Sequence, residues 1–176
     1  MAGVLGQTGG TPDYETAAAL LFSSVPVSHG VPCLPYLCGE RFPVLDPDIR
    51  GCWFGLSPET TVADLARASL EGVAFSLRQG LEQFSEPPAS ISLIGGGGRE
   101  AVWCQILADV LGHDITVLGD TEFRAARTLA ALTRQDADSL TSAEDGTVYR
   151  PRSEYRALYD AQYARYRKLY PALREI

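Results

Sequence analysis

Four consecutive glycines, Gly95–Gly98, are the residues of this chain whose type and spacing are best suited to chemistry. They follow a short apolar run at 90–94 and precede a helical pattern at 99–111. Bare backbone amides between a strand and a helix can approach a phosphate closely, and the helix N-terminus adds partial positive charge. Glycine loses more backbone freedom on folding than any other residue. The pattern therefore predicts a place where the backbone must stay uncovered.

Three interpretations of the glycines remain open from these residues alone. Gly96, Gly98 and Ala101 satisfy the pattern G-x-G-x-x-A of a dinucleotide site. Asp120 follows about 20 residues on, where such a site places its ribose-binding acid. The glycines could instead bind a mononucleotide, against its adenosine or its α-phosphate. The third interpretation is a tight turn whose missing side chains let the next helix cross the sheet closely.

The elements around the glycines alternate between strand and helix patterns. Apolar residues recur at three- and four-residue steps from Val62 to Phe84, and Thr61 with Asp64 suits a helix cap. Gly112 fits the position after a helix C-terminus. The order strand, helix, strand, helix predicts parallel strands and an α/β fold. The predicted strands are 90–94 and 115–118, and the predicted helices are 57–84, 99–111 and 123–134.

The remaining segments are less regular. We expect a strand at 3–8, a short helix at 11–22 and an extended, proline-rich segment at 23–51 with short strands. Residues 136–153 are interpreted as a polar connection. In the last segment, tyrosines spaced three and four apart predict a helix whose tyrosine stripe packs against the core; they are Tyr155, Tyr159, Tyr163, Tyr166 and Tyr170.

Charged and aromatic side chains outside the glycine turn are assigned structural roles. Glu40, Arg41, Asp46 and Arg50 could form an ion-pair network in the proline-rich segment. Trp103 is expected in the core, and Asp109 is expected to cap or pair locally rather than bind a metal.

Composition excludes several classes of protein. The 176 residues suit a single domain, 1–176, and a net charge of -7 should repel nucleic acid and anionic membranes. We find no signal peptide and no apolar run long enough to span a bilayer. The four cysteines lack C-x-x-C spacing and the two histidines lie far apart, so we predict no metal site and no disulfide. Scattered thiols favour a reducing cytoplasm.

Residues 31–75 resemble the FGGY family of carbohydrate kinases, most closely its xylulokinase and gluconokinase branches. The family signature begins with Gly-x-aromatic-x-Gly-aliphatic and continues, after a spacer, with acid-aliphatic-x-x-small-small-aliphatic-acid. The upstream segment PYLCGERFP, the stretch GGGGREAVWCQILADVLG and the closing LYPALRE are also similar to the family. The matching residues are Gly51, Trp53, Gly55 and Leu56, then Asp64, Leu65, Ala68, Ser69, Leu70 and Glu71.

The resemblance implies part of an actin-like, ribonuclease-H-like ATPase domain, the second lobe of a sugar kinase. Such a lobe closes on a partner domain and transfers the γ-phosphoryl group of ATP, with Mg²⁺, to a sugar hydroxyl. The family's glycine turn holds the adenosine end of ATP, a role that falls here on Gly95, Gly96 and Gly97, with Glu100 beside them. The resemblance also argues against the dinucleotide interpretation of the glycines.

The resemblance further implies that the catalytic acid and most sugar contacts belong to a first domain with no equivalent here. We therefore expect no sugar phosphorylation by this chain alone, and a separate N-terminal domain as its partner. Glu100 replaces a family Ser or Asn, and Arg127 replaces a glycine beside the nucleotide. The alternative is a non-catalytic remnant, kept folded by forming a homodimer or by binding a partner.

Overall fold

A computed structural model describes residues 14–118 and 146–175 of the chain. Three short 3₁₀ turns lie among its helices and strands, at Pro26–Gly30, Gly96–Arg99 and Ser153–Tyr155. The helices are α1 (Tyr14–Ser23), α2 (Val62–Leu81), α3 (Ala101–Leu111), α4 (Arg156–Tyr166) and α5 (Leu169–Leu173). The strands are β1 (Cys33–Leu34), β2 (Cys52–Trp53), β3 (Ile91–Leu93), β4 (Ile115–Val117) and β5 (Thr147–Tyr149).

The sheet that carries the glycine turn has the order β3-β4-β5. Strands β3 and β4 are parallel, with Ile91 opposite Ile115, which confirms the predicted topology. Strand β5 pairs antiparallel with the other edge of β4, so the prediction of a polar connection was wrong for these three residues. A strand this short gives no alternating pattern, and its pairing is fixed by β4 rather than by its own sequence.

Helix α2 is the central element, and its start follows the predicted cap. The Thr61 side chain accepts a hydrogen bond from the amide of Asp64, whose carboxylate accepts one from the amide of Thr61. The helix lies so close to β1 that a Cβ at Gly72 would clash with the carbonyl oxygen of Cys33. The predicted stripe marks the buried face only in part, since Val62 and Leu77 are exposed while Phe75 is fully buried.

The tyrosine stripe packs against the core as predicted. Tyr159, Tyr163 and Tyr166 are buried, and their rings surround Phe75 at centroid distances of 5.5 to 6.3 Å. The predicted single helix is divided, however, because α4 ends at Tyr166 and α5 begins at Leu169.

A left-handed turn before β1 was not predicted. Val27, Ser28 and His29 have φ angles of 59°, 49° and 49°, values that non-glycine residues rarely adopt. Buried acids of α2 hold this turn: Glu71 accepts hydrogen bonds from the Val27 amide at 2.9 Å and the Ser28 hydroxyl at 3.0 Å. Asp64 lies 2.8 Å from Nδ1 of His29. Side chains of α2 therefore hold Val27, Ser28 and His29 in a left-handed backbone conformation that these residue types disfavour.

The predicted ion-pair network of the proline-rich segment does not form among the described residues. The Glu40 carboxylate instead accepts the amides of Arg41 and Phe42, and the Asp46 carboxylate accepts those of Asp48 and Ile49. Short carboxylates commonly hold turns in this way, since a nearby amide is reached without fixing a second long side chain. These acids stabilise the loop locally.

Other predictions lie outside the described residues. They are the strand at 3–8, the helix at 123–134, Asp120 and Arg127. All four cysteines are free thiols. Across 14–118 and 146–175, no helix combines the length and the apolar character needed to cross a membrane.

Candidate functional site

The glycine turn joins the end of β3 to the start of α3. Gly95 adopts φ 90° and ψ -174°, and residues 96–99 then form a single 3₁₀ turn. Helix α3 begins at Ala101, two residues later than predicted, because Gly95 to Glu100 form this turn with hydrogen bonds from Gly98 to Gly95 and from Glu100 to Gly97. Gly112 ends the helix in the left-handed conformation, as predicted. The turn thus stands at the carboxyl end of a parallel strand, where α/β proteins bind ligands.

Three of the four glycines have a reason within the fold. The positive φ of Gly95 favours glycine, and a Cβ at Gly98 would lie 2.8 Å from Cγ1 of Val117. A Cβ at Gly97 would lie 3.2 Å from Nε1 of Trp103. At Gly96 a Cβ would meet nothing within 4 Å in the part of the chain that the structure describes. The close-packing interpretation therefore accounts for Gly98, whereas the fold gives no reason for a glycine at position 96.

The backbone polar groups of the turn face in two directions. Carbonyl oxygens of Gly97 and Gly98 lie 3.8 and 3.7 Å from the buried Sγ of Cys104, whose thiol donates weakly to them. Burial raises the pKa of that thiol, which keeps it protonated. Gly96 and Gly97 are exposed, and within the described ranges their amides donate to no other atom. The turn is therefore exposed at two residues whose N–H groups have no acceptor among the described residues.

Along the chain, Glu100 follows the glycine amides after one residue, Arg99. It occupies the position that caps α3, it is exposed, and its side chain makes no capping hydrogen bond. A carboxylate here has a favourable interaction with the helix dipole, but it would repel a phosphate that approached the same amides. The structure thus brings Gly95, Gly96, Gly97 and Glu100 together on one exposed turn.

Trp103 is less buried than the core position that was expected from sequence. Its ring is half-buried and packs against the core, as predicted, but its Nε1 edge faces Gly97. No residue in the described parts of the chain accepts a hydrogen bond from this N–H group. The sequence did carry a signal for this position of Trp103 beside the turn. Trp103 follows Glu100 by three residues, and residues i and i+3 lie on the same side of a helix.

The remaining charged groups serve the fold. Asp109 accepts hydrogen bonds from Gln105 and from the backbone and guanidinium of Arg152, at 2.6 to 3.1 Å, so it pairs as predicted, though chiefly with a distant residue. Arg67 donates to Glu71 at 2.7 Å and to Tyr159 at 2.9 Å, inside the core. Among the described residues, no group of three or more acids, histidines or cysteines could hold a metal ion.

An apolar groove of about 310 Å³ lies away from the glycine turn, on the other side of α2. Its walls include Cys33, Cys52 and Trp53. Exposed apolar residues belong to the same chain segments, among them Leu37 and Phe54, which are 57% and 58% exposed. Burial raises the pKa of Cys33 to about 12, so this wall is neutral as well as apolar. The groove has the character of a contact surface rather than of a phosphate site.

Comparison with known proteins places these observations in a family. Residues 3–126 match the sequence profile of the C-terminal domain of the FGGY family of carbohydrate kinases. A xylulose kinase of Staphylococcus epidermidis is 31% identical over 173 residues, which are 93% of this chain and 35% of that protein. A gluconokinase of Bacillus subtilis is 33% identical over 112 residues, 61% of this chain and 22% of the relative.

The fold agrees with the sequence. A crystal structure of a "xyloylose kinase" from Brucella ovis superposes with a TM-score of 0.83 at 32% identity, and the match covers 95% of this chain and 36% of that one. Such relatives have the actin-like fold that the resemblance implied. The chain spans about a third of the length of the relatives it matches. It belongs to the FGGY family of carbohydrate kinases, within that family's C-terminal domain.

Proposed function

We propose that this chain is the ATP-binding lobe of a xylulokinase-like carbohydrate kinase. The observation that supports it most is the turn at Gly96, where two amides face solvent and the missing side chain serves no purpose in packing. Gly95, Gly96 and Gly97 would contact the nucleotide, with Glu100 beside it. Backbone amides and a helix N-terminus suit a phosphate oxygen, because both carry partial positive charge.

ATP would supply the phosphoryl group, and Mg²⁺ would supply positive charge that balances the negative charge of the phosphates. The described residues offer no cluster of acids for the metal, so it would arrive with the nucleotide. The chain's own part is to bind and orient: the amides of Gly96 and Gly97 donate, and Gly95 sets the direction of the turn. Transfer to a sugar hydroxyl would require a second lobe with the sugar contacts and an acid, and we expect no sugar phosphorylation from this chain alone.

The substitution Gly96→Leu tests the proposal without disturbing the fold. A side chain at this position meets open space, and replacing a glycine in a compatible conformation stabilises a protein by about 0.4–1 kcal/mol. The same side chain would cover the free amides. We expect isothermal titration to show Mg-ATP affinity falling by about tenfold or more, with the melting temperature unchanged or raised.

Ala89→Leu is the matched control. Ala89 is exposed and precedes β3, at the opposite end of that strand from the turn, so the added bulk should leave nucleotide affinity unchanged. Wild-type protein that binds no Mg-ATP at millimolar concentration would reject the proposal. Equal affinities in Gly96→Leu and the wild type would reject the assignment of the turn.

A second candidate function is self-association of a non-catalytic remnant. The apolar groove and the exposed Leu37 and Phe54 favour it, because contiguous apolar surface often marks an interface. Two copies would bury this surface against each other. Light scattering on the wild type and on Phe54→Ser distinguishes the cases: a dimer that Phe54→Ser dissociates supports this candidate, and a wild-type monomer rejects it.

A further inference from the structure

The two tryptophans of the chain differ in what their indole N–H groups do. Trp53 donates to the carbonyl oxygen of Leu65 at 3.3 Å and to the hydroxyl of Ser69 at 3.1 Å, so its polar atom is used by the fold. Trp103 donates to no residue in the described ranges. Tryptophan nitrogen is a donor only, and a fixed indole with no partner in the protein has its donor available for something else.

The position of Trp103 points to the same ligand as the glycine turn. Its Nε1 edge lies so close to Gly97 that even a methyl group there would stand 3.2 Å away. A side chain at Gly97 would therefore push the indole out of this place by a few tenths of an ångström. The ring is held by its packing against the core, so the N–H group does not need to be ordered when a ligand arrives.

We propose that Trp103 is a binding residue of the nucleotide site, and that its indole N–H donates to a phosphate oxygen. The inference rests on the proposed function. Three N–H groups with no acceptor among the described residues belong to this exposed turn or lie beside it, those of Gly96, Gly97 and the Trp103 ring, and the neighbouring carbonyl oxygens of Gly97 and Gly98 face inward to Cys104. A ligand at this turn would therefore meet hydrogen-bond donors, because these acceptors point away from it into the protein. Such a surface suits an anion oxygen rather than the amino group of a base.

Trp103→Phe removes this donor and keeps an aromatic ring. A hydrogen bond to a charged group contributes enough that its loss should weaken AMP, ADP and Mg-ATP alike by about tenfold. Adenosine lacks phosphate, so its affinity should not change. Trp53→Phe is the matched control, since it removes a donor that the fold already uses: it should lower the melting temperature and leave the affinity for all three nucleotides unchanged.

A second measurement keeps the test independent of how well Trp103→Phe folds. In Trp53→Phe, Trp103 is the only tryptophan, and its indole ¹⁵N–¹H signal can be followed during titration with tripolyphosphate and with AMP. A downfield shift of that proton with both probes, and none with adenosine, is the expected result.

The outcomes separate this inference from the proposed function. Wild-type nucleotide affinities in Trp103→Phe, with an unmoved indole signal, would overturn the role of Trp103 and leave the ATP assignment standing. An indole signal that moves with tripolyphosphate, with no tighter binding of nucleotides, would support the phosphate contact and reject the nucleotide function. Equal losses for adenosine and AMP would overturn the phosphate assignment. Absence of binding by every probe would overturn both.

Discussion

Replacing Glu71 by glutamine should destabilise the fold far more than an exposed substitution of the same kind. Glu71 is 1% exposed and accepts four hydrogen bonds, of which the guanidinium of Arg67 provides one at 2.7 Å. The others come from the Val27 amide, the Ser28 hydroxyl and the Tyr159 hydroxyl at 2.9 to 3.1 Å. Glu71→Gln keeps the shape of the side chain, but it leaves Arg67, itself 5% exposed, without a counter-charge.

The expected magnitude follows from the burial of both partners. Breaking a buried ion pair by removing one partner costs about 3–5 kcal/mol, mostly because the remaining charge stays unpaired. The left-handed turn at Val27–His29 adds strain, since each such residue costs roughly 1–2 kcal/mol that the contacts of Glu71 must outweigh. In Glu71→Gln the turn can relax locally, which releases part of this strain energy and reduces the loss of stability. We therefore expect a loss of about 3 kcal/mol in the free energy of unfolding.

Urea denaturation of Glu71→Gln and Glu82→Gln compares two ion pairs, one inside α2 and one at its C-terminal end. Arg78 and Glu82 form an i, i+4 pair like that of Arg67 and Glu71, but Glu82 is 43% exposed and its closest contact to Arg78 is 3.5 Å. The exposed pair should contribute about 1 kcal/mol or less. In Glu71→Gln the amide of Val31, which donates to the Ser28 carbonyl oxygen, should also exchange faster with deuterium. Equal losses in both variants, with Val31 still protected, would refute the reasoning.

Three further predictions concern the turn and the cap of α2. Glu100→Ser removes a negative charge beside the free amides and should tighten Mg-ATP binding by about fivefold in isothermal titration. Gly98→Ala forces a methyl group against Val117 and should lower the free energy of unfolding by about 1–3 kcal/mol in urea titrations, with nucleotide affinity unchanged. Burial tends to raise the pKa of Asp64, but hydrogen bonds from Thr61 and His29 outweigh it and the net shift is downward. The folded-state pKa is thus below the unfolded value, so the extra stability of wild type over Asp64→Asn should be constant above about pH 5 and shrink below about pH 4.

The features predicted well from sequence depend on neighbours along the chain. The cap formed by Thr61 and Asp64 needs only residues three apart, and the tyrosine stripe from Tyr159 to Tyr166 needs only helical spacing. The glycine turn was located because a strand pattern ends where the glycines begin. Local spacing carries such signals without knowledge of the fold.

The features missed from sequence depend on contacts between distant residues. The left-handed turn is held by Glu71, 43 residues away from Ser28, and the helical pattern around Glu71 gives no sign of it. Strand β5 exists because β4 offers an edge, not because three residues of its own predict a strand. The different uses of the two tryptophan N–H groups are equally invisible, since the partners of Trp53 become neighbours only after α2 packs beside β2.

The family signature and the glycine turn report on different properties of the chain. Signature residues meet structural demands: a Cβ at Gly51 would lie 2.8 Å from the carbonyl oxygen of Leu34, and Glu71 is sealed in the core. Selection for folding alone is enough to keep them. Gly96 meets no such demand among the described residues, because a Cβ there would have no contact within 4 Å beyond its chain neighbours. Folding alone could therefore preserve the whole signature, whereas packing gives no reason for a bare backbone at position 96, which makes that position the more direct place to test the proposed nucleotide contact.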